Sequence, residues 1–291
     1  MKPQHLLELI LLAALWGGSF LFMRYAAPAF GAVALIWLRV AIASLCLAPL
    51  LLLRGQGAVL REHAGAIAVM GVFNSALPFV LIAWATLSIT AGLASILNAT
   101  VPIFAALIGA VWLGDKLGPS RALGLAVGFG GVLMLAADKA DFKPGGSGWA
   151  IVAMLVATFS YGFAANLTKR RLAGVPALVN AAGSQIISAI VLAPLAYWFW
   201  PAQIPGGMAW LAVLVLGVGC TALAYLLFFR LVTHVGASRT VTVTFLIPLF
   251  GVLWGSVFLG EALKAGMLAG GAVVVLGTAL ATGVVKLPAR R

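Results

Sequence analysis

The chain contains one long sequence pattern twice. Residues 76–135 align with residues 222–281 at a constant offset of 146 positions, without a gap. Within this alignment VPIF at 101–104 falls on IPLF at 247–250, and LGD at 113–115 falls on LGE at 259–261. An ungapped alignment that matches proline with proline and acid with acid indicates a duplicated half.

The composition places both halves in a membrane. The chain has 291 residues, of which 64% are hydrophobic and only 8% charged, whereas soluble domains carry about 25% charged residues. A membrane span needs about 20 apolar residues. Cutting the sequence at charges, prolines and glycines predicts ten such helices, near residues 5–25, 30–53, 64–84, 90–113, 119–137, 148–168, 176–199, 208–229, 237–259 and 265–285.

Five helices per half is an odd number, so the second half enters the membrane from the opposite side. The sequence therefore predicts an all-α membrane protein with two inverted five-helix repeats, residues 1–140 and 147–291, around a central cavity. Thirteen of the 18 Lys and Arg residues fall in segments on one side, four fall on the other, and Arg39 lies inside a helix. By the positive-inside rule we expect a multi-pass protein of the inner or plasma membrane, with both termini cytoplasmic.

Several classes of function are disfavoured by the sequence. The net charge of +12 comes from single basic residues or short clusters between apolar runs, which is typical of membrane topology rather than nucleic-acid binding. We find no catalytic motif and no Walker A loop, so we expect neither an enzyme nor a cofactor. Cys46 and Cys220 lie in apolar segments without neighbouring ligands, so we expect no metal site. The first apolar run shows no cleavage site of a signal peptide.

Arg39 is the one charge predicted near the middle of the membrane. It lies about ten residues, or roughly 15 Å, from the outer end of the second helix. Two interpretations remain open: Arg39 binds an anionic group of a substrate, or it holds helix ends together. Its repeat partner is Gln185, which is also polar.

Further polar and aromatic residues recur at helical spacing and comparable depth. We predict that these side chains and Arg39 line a substrate cavity, although each polar residue could instead join helices and each ring could simply pack. Pro102 and Pro248 are equivalent in the repeats, and with Pro78 they are predicted either as gating kinks or as fixed bends. The predicted cavity residues are Trp16, Phe20, Arg39, Asn74, Phe79, Ser95, Asn98, Tyr161, Asn166, Gln185, Tyr225 and Thr244.

The acidic residues avoid the middle of the membrane. Five of the six lie at segment ends or in loops, and Glu8 lies about one turn inside the first helix. Pumps driven by protons or sodium usually keep a carboxylate at depth. We therefore expect transport without ion coupling.

Two motifs resemble a known family. LAALWGGSF at 12–20 is followed by Leu38-Arg39, and the run from Pro102 to WLGD at 112–115 recurs with Glu261 in the second half. These features are similar to the EamA domain of the drug/metabolite transporter superfamily, and within it to the YddG-type aromatic amino acid exporters. The resemblance covers nearly the whole chain. It implies ten helices in inverted repeats, with the fifth and tenth outside and the other eight around the cavity.

We therefore expect a secondary transporter that exports small metabolites, above all neutral or aromatic amino acids, by alternating access. The aromatic lining would hold the side chain, and Arg39 with nearby Asn or Gln groups would meet the zwitterion. The alternatives are a broad exporter of drugs or hydrophobic cations and, less favoured, a membrane-embedded enzyme, a lipid scramblase or a channel. The expected partners are a small-molecule substrate and the lipid bilayer, with the protein a monomer or weak dimer.

Overall fold

A computed structural model describes residues 2–137, 141–143 and 146–285. Nine of the helices in this part of the chain are long and apolar enough to cross a membrane, and a tenth, shorter apolar helix completes the set. The predicted all-helical membrane fold is thereby confirmed. The helices are α1 (Pro3–Phe30), α2 (Ala32–Leu53), α3 (Ala64–Ala85), α4 (Ala91–Leu113), α5 (Pro119–Ala137), α6 (Ser147–Arg171), α7 (Ala177–Trp198), α8 (Gly207–Val235), α9 (Val243–Leu259) and α10 (Ala265–Thr282).

Some local features were not predicted. A short helix, Gly57–Glu62, connects α2 to α3. The predicted ninth helix, 237–259, is divided into a single turn, Ala237–Thr240, and α9. Parts of the predicted repeats lie outside the described residues, namely positions 138–140, Pro144 and Gly145 between the halves, and the end of the second repeat from position 286.

Four helical paths are irregular, and the irregularities in α3 and α8 fall at equivalent positions. In α3 a π-helical turn spans Val72–Ala76, and in α8 another spans Val218–Leu223. Their first residues are separated by the repeat offset of 146. Helix α4 is interrupted after Asn98, and the helical path before α9 is interrupted after Thr240. π-Helical turns are frequent at functional sites.

The helices pack as an inverted duplication requires. Helix α1 packs against α9, and its equivalent α6 packs against α4, while α2 pairs with α7 and α5 with α10. Gly17 and Gly162 make two of these contacts possible. A Cβ on Gly17 would lie 2.6 Å from Cβ of Phe250, and a Cβ on Gly162 would lie 2.8 Å from the backbone nitrogen of Ala105.

Helices α5 and α10 form the tightest of these pairs. A Cβ added to Gly277 would overlap the backbone of Gly128, and one added to Gly124 would overlap the backbone of Ala281. Small residues allow helix backbones to approach this closely in lipid. Neither helix contributes a described residue to the cavity wall, so this pair braces the bundle from outside.

Candidate functional site: a central cavity

A cavity of about 290 Å³ lies between the two repeats. Its walls come from α1 to α4 of the first repeat and from α6, α8 and α9 of the second. Helix α7 adds no described residue to the lining, so seven helices rather than the expected eight form the wall. The lining residues are Trp16, Ser19, Phe20, Met23, Arg39, Asn74, Phe79, Ile82, Asn98, Val101, Tyr161, Ala165, Cys220, Tyr225, Phe228, Thr244 and Ile247.

Arg39 is the one charged residue among the described lining, and it is 4% exposed. Its Nε donates a hydrogen bond to Oγ1 of Thr221 at 2.9 Å, and its guanidinium carbon lies 3.7 Å from the centroid of the Phe79 ring. Nη1 also lies 3.6 Å from Sδ of Met23. None of the ion pairs among the described residues includes Arg39. The guanidinium is therefore oriented by neutral groups and has no carboxylate partner there.

Gln185, the repeat partner of Arg39, makes the equivalent contact in the other half. Its Nε2 donates to Oγ of Ser75 at 2.8 Å, and Ser75 and Thr221 are equivalent residues of the two π-helical turns. Gln185 is fully buried but does not line the cavity. The two sites share one geometry, and the positive charge at the cavity belongs to the first repeat alone.

A second polar contact crosses between the repeats at Asn74 and Tyr225. Nδ2 of Asn74 donates to the Tyr225 hydroxyl at 3.1 Å, and the Tyr225 ring stacks on Phe229 with centroids 5.9 Å apart. Both residues line the cavity. The hydrogen bond joins the α3 and α8 walls beside the cavity space.

Five further lining residues are aromatic, namely Trp16, Phe20, Phe79, Tyr161 and Phe228. Trp16 lies 5.4 Å from Phe228, and Phe79 lies 6.3 Å from Tyr161 in an edge-to-face arrangement, measured between centroids. Such pairs fix the rings at the spacing that aromatic side chains prefer. The result is an apolar surface with a few polar atoms at defined places, which is typical of small-molecule sites.

Three of the predicted cavity residues lie outside this lining. Oγ of Ser95 donates to the carbonyl of Gly92 at 2.8 Å, and its Cβ packs where a side chain on Gly251 would otherwise lie. Nδ2 of Asn166 donates to the carbonyls of Ala105 and Gly162, both at 2.9 Å. Ser95 and Asn166 therefore join helices, as Gln185 does.

The predicted prolines occupy three different positions. Pro102 lies in the first turn of the second part of α4, where its missing N–H is tolerated. Pro248 lies inside α9, and Pro78 follows directly after the π-helical turn of α3. The interruption preceding α9 comes before residue 243, so Pro248 itself does not mark a break. Whether these residues act in gating stays a prediction.

The lining residues that the sequence did not suggest follow the repeat offset. Val101 and Ile247 are equivalent, as are Ile82 and Phe228, and all four contact the cavity. Cys220, a free thiol, is the equivalent of Asn74. Adding 146 to the predicted Asn74 would have identified Cys220, but both members of the other two pairs were missed, so the offset alone could not have found them.

The two ends of the bundle differ although their sequences are equivalent. We call them the Glu261 end and the Asp115 end, after the acid that each carries in the turn following α9 or α4. At the Glu261 end, Oε1 of Glu261 accepts a hydrogen bond from the Ala91 backbone N–H at 2.7 Å, and Oε2 accepts one from Gly92 at 3.1 Å. At the other end Asp115 instead pairs with Lys169 at 2.8 Å.

The cavity opens toward the Asp115 end. Ile82, on the Glu261 side, is 2% exposed, whereas its repeat equivalent Phe228, on the Asp115 side, is half-buried. Ala165, one turn beyond Tyr161 toward the Asp115 end, is exposed. The bundle is thus closed where Glu261 holds the start of α4 and open at the opposite end.

Comparison with known proteins agrees with this architecture. The model of the EamA-like transporter family matches the chain twice, over residues 6–137 and 148–283. The chain therefore belongs to the EamA-like transporter family, within the drug/metabolite transporter superfamily, and is a transporter rather than an enzyme.

Individual relatives span nearly its whole length. The chain is 27% identical over 280 residues to the "Probable terminal-alkyne amino-acid exporter" of Streptantibioticus cattleyicolor, a match that covers 94% of this chain and 91% of that protein. It is 24% identical over 273 residues to an "Uncharacterized transporter" of Archaeoglobus fulgidus, covering 92% and 95% of the two chains. A solved structure described as "Crystal structure of protein" superposes with a TM-score of 0.68 at 22% identity, covering 98% of this chain and 99% of that one. At this identity the solved structure shows the fold alone.

Proposed function

We propose that this transporter exports neutral amino acids with aromatic or bulky apolar side chains. The observation that carries the proposal is the guanidinium of Arg39, which has no carboxylate partner, in the wall of a largely apolar cavity. A buried cation without a carboxylate is costly, and an incoming carboxylate would supply the missing partner. The similarity to the probable terminal-alkyne amino-acid exporter of Streptantibioticus cattleyicolor supports an amino acid as the substrate.

The chemistry of the cavity disfavours the alternative of a cation exporter. No acidic side chain is present among the described lining residues, whereas Arg39 contributes a fixed positive charge. A hydrophobic cation would meet this charge in a site of low dielectric constant, where like charges repel strongly. An amino acid zwitterion instead places its carboxylate against Arg39 and its side chain against the rings.

We propose that the halves, residues 1–140 and 147–291, work by alternating access. In the state described above, Glu261 holds the first part of α4 against α9 and closes one end. In the opposite state Asp115 would leave Lys169 and make the equivalent contact with the start of the helical path before α9. That path would then close on α4. The internal equivalence of LGD at 113–115 and LGE at 259–261 supports this exchange.

The distribution of Lys and Arg supports an orientation with both termini in the cytoplasm of a cell-membrane protein. The Asp115 end would then face the cytoplasm, and the cavity would be open inward. Because the described acids lie toward the ends of the bundle, substrate would move down its own gradient without an ion.

The test is uptake into proteoliposomes that contain the purified protein and no imposed ion gradient. Saturable uptake of labelled phenylalanine and tryptophan, with much less uptake of glutamate, is the expected result. Transport of a cationic dye in the absence of any amino acid uptake would reject the proposal and favour the drug exporter. Stimulation of phenylalanine uptake by an imposed proton or sodium gradient would reject the uncoupled mechanism but leave the substrate class intact.

A further inference from the structure

Asn98 places an unused hydrogen-bond acceptor in the cavity wall. Its Oδ1 is buried and has no hydrogen-bond partner in the described part of the chain. Buried polar atoms are nearly always paired, and each exception calls for an explanation. An acceptor without a donor in a substrate cavity is suited to a ligand that carries N–H groups.

The backbone at Asn98 adds to this acceptor character. The first part of α4, Ala91–Asn98, ends here, and the residue four positions later is Pro102, which has no N–H to donate to the Asn98 carbonyl. A helix C-terminus also carries partial negative charge. The side chain and the helix end therefore both favour a positively charged donor at this point.

The repeat equivalent of Asn98 lacks this property. Thr244 also lines the cavity, but its hydroxyl donates to the Val241 carbonyl at 2.8 Å. The first repeat thus supplies both unusual groups of the cavity, the unpaired cation of Arg39 and the unpaired acceptor of Asn98. The cation of Arg39 is complementary to the carboxylate of a zwitterion, and the neutral acceptor of Asn98 is complementary to its ammonium group.

We propose that Asn98 binds the α-ammonium group of the substrate and makes this group a requirement for binding. This inference rests on the proposed function, because it assigns a second contact in the same cavity. No described acid lines the cavity, so neutral acceptors must satisfy the ammonium. An ammonium buried without such an acceptor would oppose binding strongly. The site therefore selects amino acids over carboxylates of the same shape that lack the amine.

The experiment measures binding of L-phenylalanine, 3-phenylpropionate and phenethylamine to the purified protein by calorimetry. These ligands share one ring and differ in the charged groups. The wild type is expected to bind phenylalanine at least about tenfold more tightly than 3-phenylpropionate, the range for a hydrogen bond to a charged group. In Asn98→Leu, the affinity for phenylalanine should fall to the level of 3-phenylpropionate or below, whereas the affinity for 3-phenylpropionate should stay the same.

Asn180→Leu is the matched control. Oδ1 of Asn180 is also buried without a partner, but Asn180 lies in α7, away from the cavity. This variant should keep the wild-type ratio of affinities. Asn98→Asp retains an acceptor and adds a negative charge, so it should bind phenethylamine about tenfold more tightly than the wild type does.

The outcomes separate the inference from the proposed function. Equal wild-type affinities for phenylalanine and 3-phenylpropionate would overturn the role of Asn98 and leave the exporter proposal standing. An equal loss of affinity for both ligands in Asn98→Leu would have the same consequence. If the wild type binds no phenylalanine, both proposals fall together. If Asn98→Leu does not fold, the wild-type ratio and the response of Asn98→Asp to phenethylamine decide.

Discussion

Arg39 and Thr221 are joined across the two repeats by a hydrogen bond of 2.9 Å, and the equivalent pair, Gln185 and Ser75, is joined at 2.8 Å. The same scaffold therefore holds a charged side chain in one half and a neutral one in the other. This equivalence suggests how the charge can be removed while its supporting contact is kept.

Arg39→Gln should weaken the binding of amino acids while the protein remains folded. The glutamine can donate to Thr221 as Gln185 donates to Ser75, so the main loss is the interaction with the substrate carboxylate. We expect affinity for phenylalanine to fall about 10- to 100-fold, the range for hydrogen bonds to a charged group. Calorimetry measures the affinity, and thermal unfolding in detergent checks the fold. Unchanged affinity would assign Arg39 a structural role only.

Glu261→Ala should loosen the closed end of the bundle. The carboxylate accepts from two backbone N–H groups at the start of α4, and loss of a charge-assisted bond there corresponds to about 1.5–3 kcal/mol. Amide hydrogen exchange at Ala91 and Gly92 should accelerate about tenfold or more. Asp115→Ala is the matched control, because Asp115 does not contact the first part of α4 in this structure. This variant should leave the exchange rates of both amides unchanged. If the two amides exchange as slowly in Glu261→Ala as in the wild type, helix packing alone closes this end.

Lys169→Met should change access to the cavity more than it changes stability. The Asp115–Lys169 pair is largely exposed, with side chains 42% and 60% accessible, so its loss should cost about 0–1 kcal/mol of unfolding free energy. If Lys169 competes with the start of the α9 path for Asp115, removal of the Lys169 charge favours closure of the Asp115 end.

The measurement for Lys169→Met is maleimide labelling of Ala165→Cys in a chain whose Cys46 and Cys220 are replaced by alanine. Labelling should slow in Lys169→Met and stay the same in Arg171→Met, which removes a neighbouring cation. An equal labelling rate in Lys169→Met and its parent would contradict the exchange of Asp115 between partners.

Gly277→Ala should destabilise the protein without altering its ligand preference. A methyl group at this position would overlap the backbone of Gly128 in the α5–α10 contact. Overpacking of this kind costs about 1–3 kcal/mol. Gly130→Ala is the control, because a Cβ there meets nothing within 4 Å and alanine is the better helix former. The temperature of thermal unfolding should fall only in Gly277→Ala. A change in the ratio of the affinities for phenylalanine and 3-phenylpropionate would argue against a purely supporting role for the α5–α10 pair.

The sequence was sufficient for the architecture because the repeat offset and the apolar runs report it directly. The same offset relates Arg39 to Gln185 and the turn at Asp115 to the turn at Glu261. Periodicity also indicated which helix faces are polar. It could not show whether a polar face meets the cavity or a neighbouring helix, because that depends on tertiary packing. Ser95 and Asn166 illustrate this, since each side chain donates to backbone carbonyls where two helices meet.

The difference between the two ends was equally inaccessible to sequence reasoning. LGD and LGE predict equivalent turns, and both turns do form with a left-handed glycine, Gly114 or Gly260, at the helix end. Both acids hold equivalent positions in their turns, so the local sequence does not indicate which of them contacts a helix start. Likewise, no residue pattern distinguished the π-helical turns from ordinary helix, because such a turn differs only by one extra residue in the local backbone.

The π-helical turns at Val72–Ala76 and Val218–Leu223 have a consequence for the origin of the protein. A π-helical turn inserts one residue, so deleting that residue would rotate everything beyond it by about 100° and carry Ser75 or Thr221 away from its partner. Both halves carry the insertion at the same register. We infer that the insertion was present before the two halves were duplicated, because independent insertions would have no reason to fall at the same register.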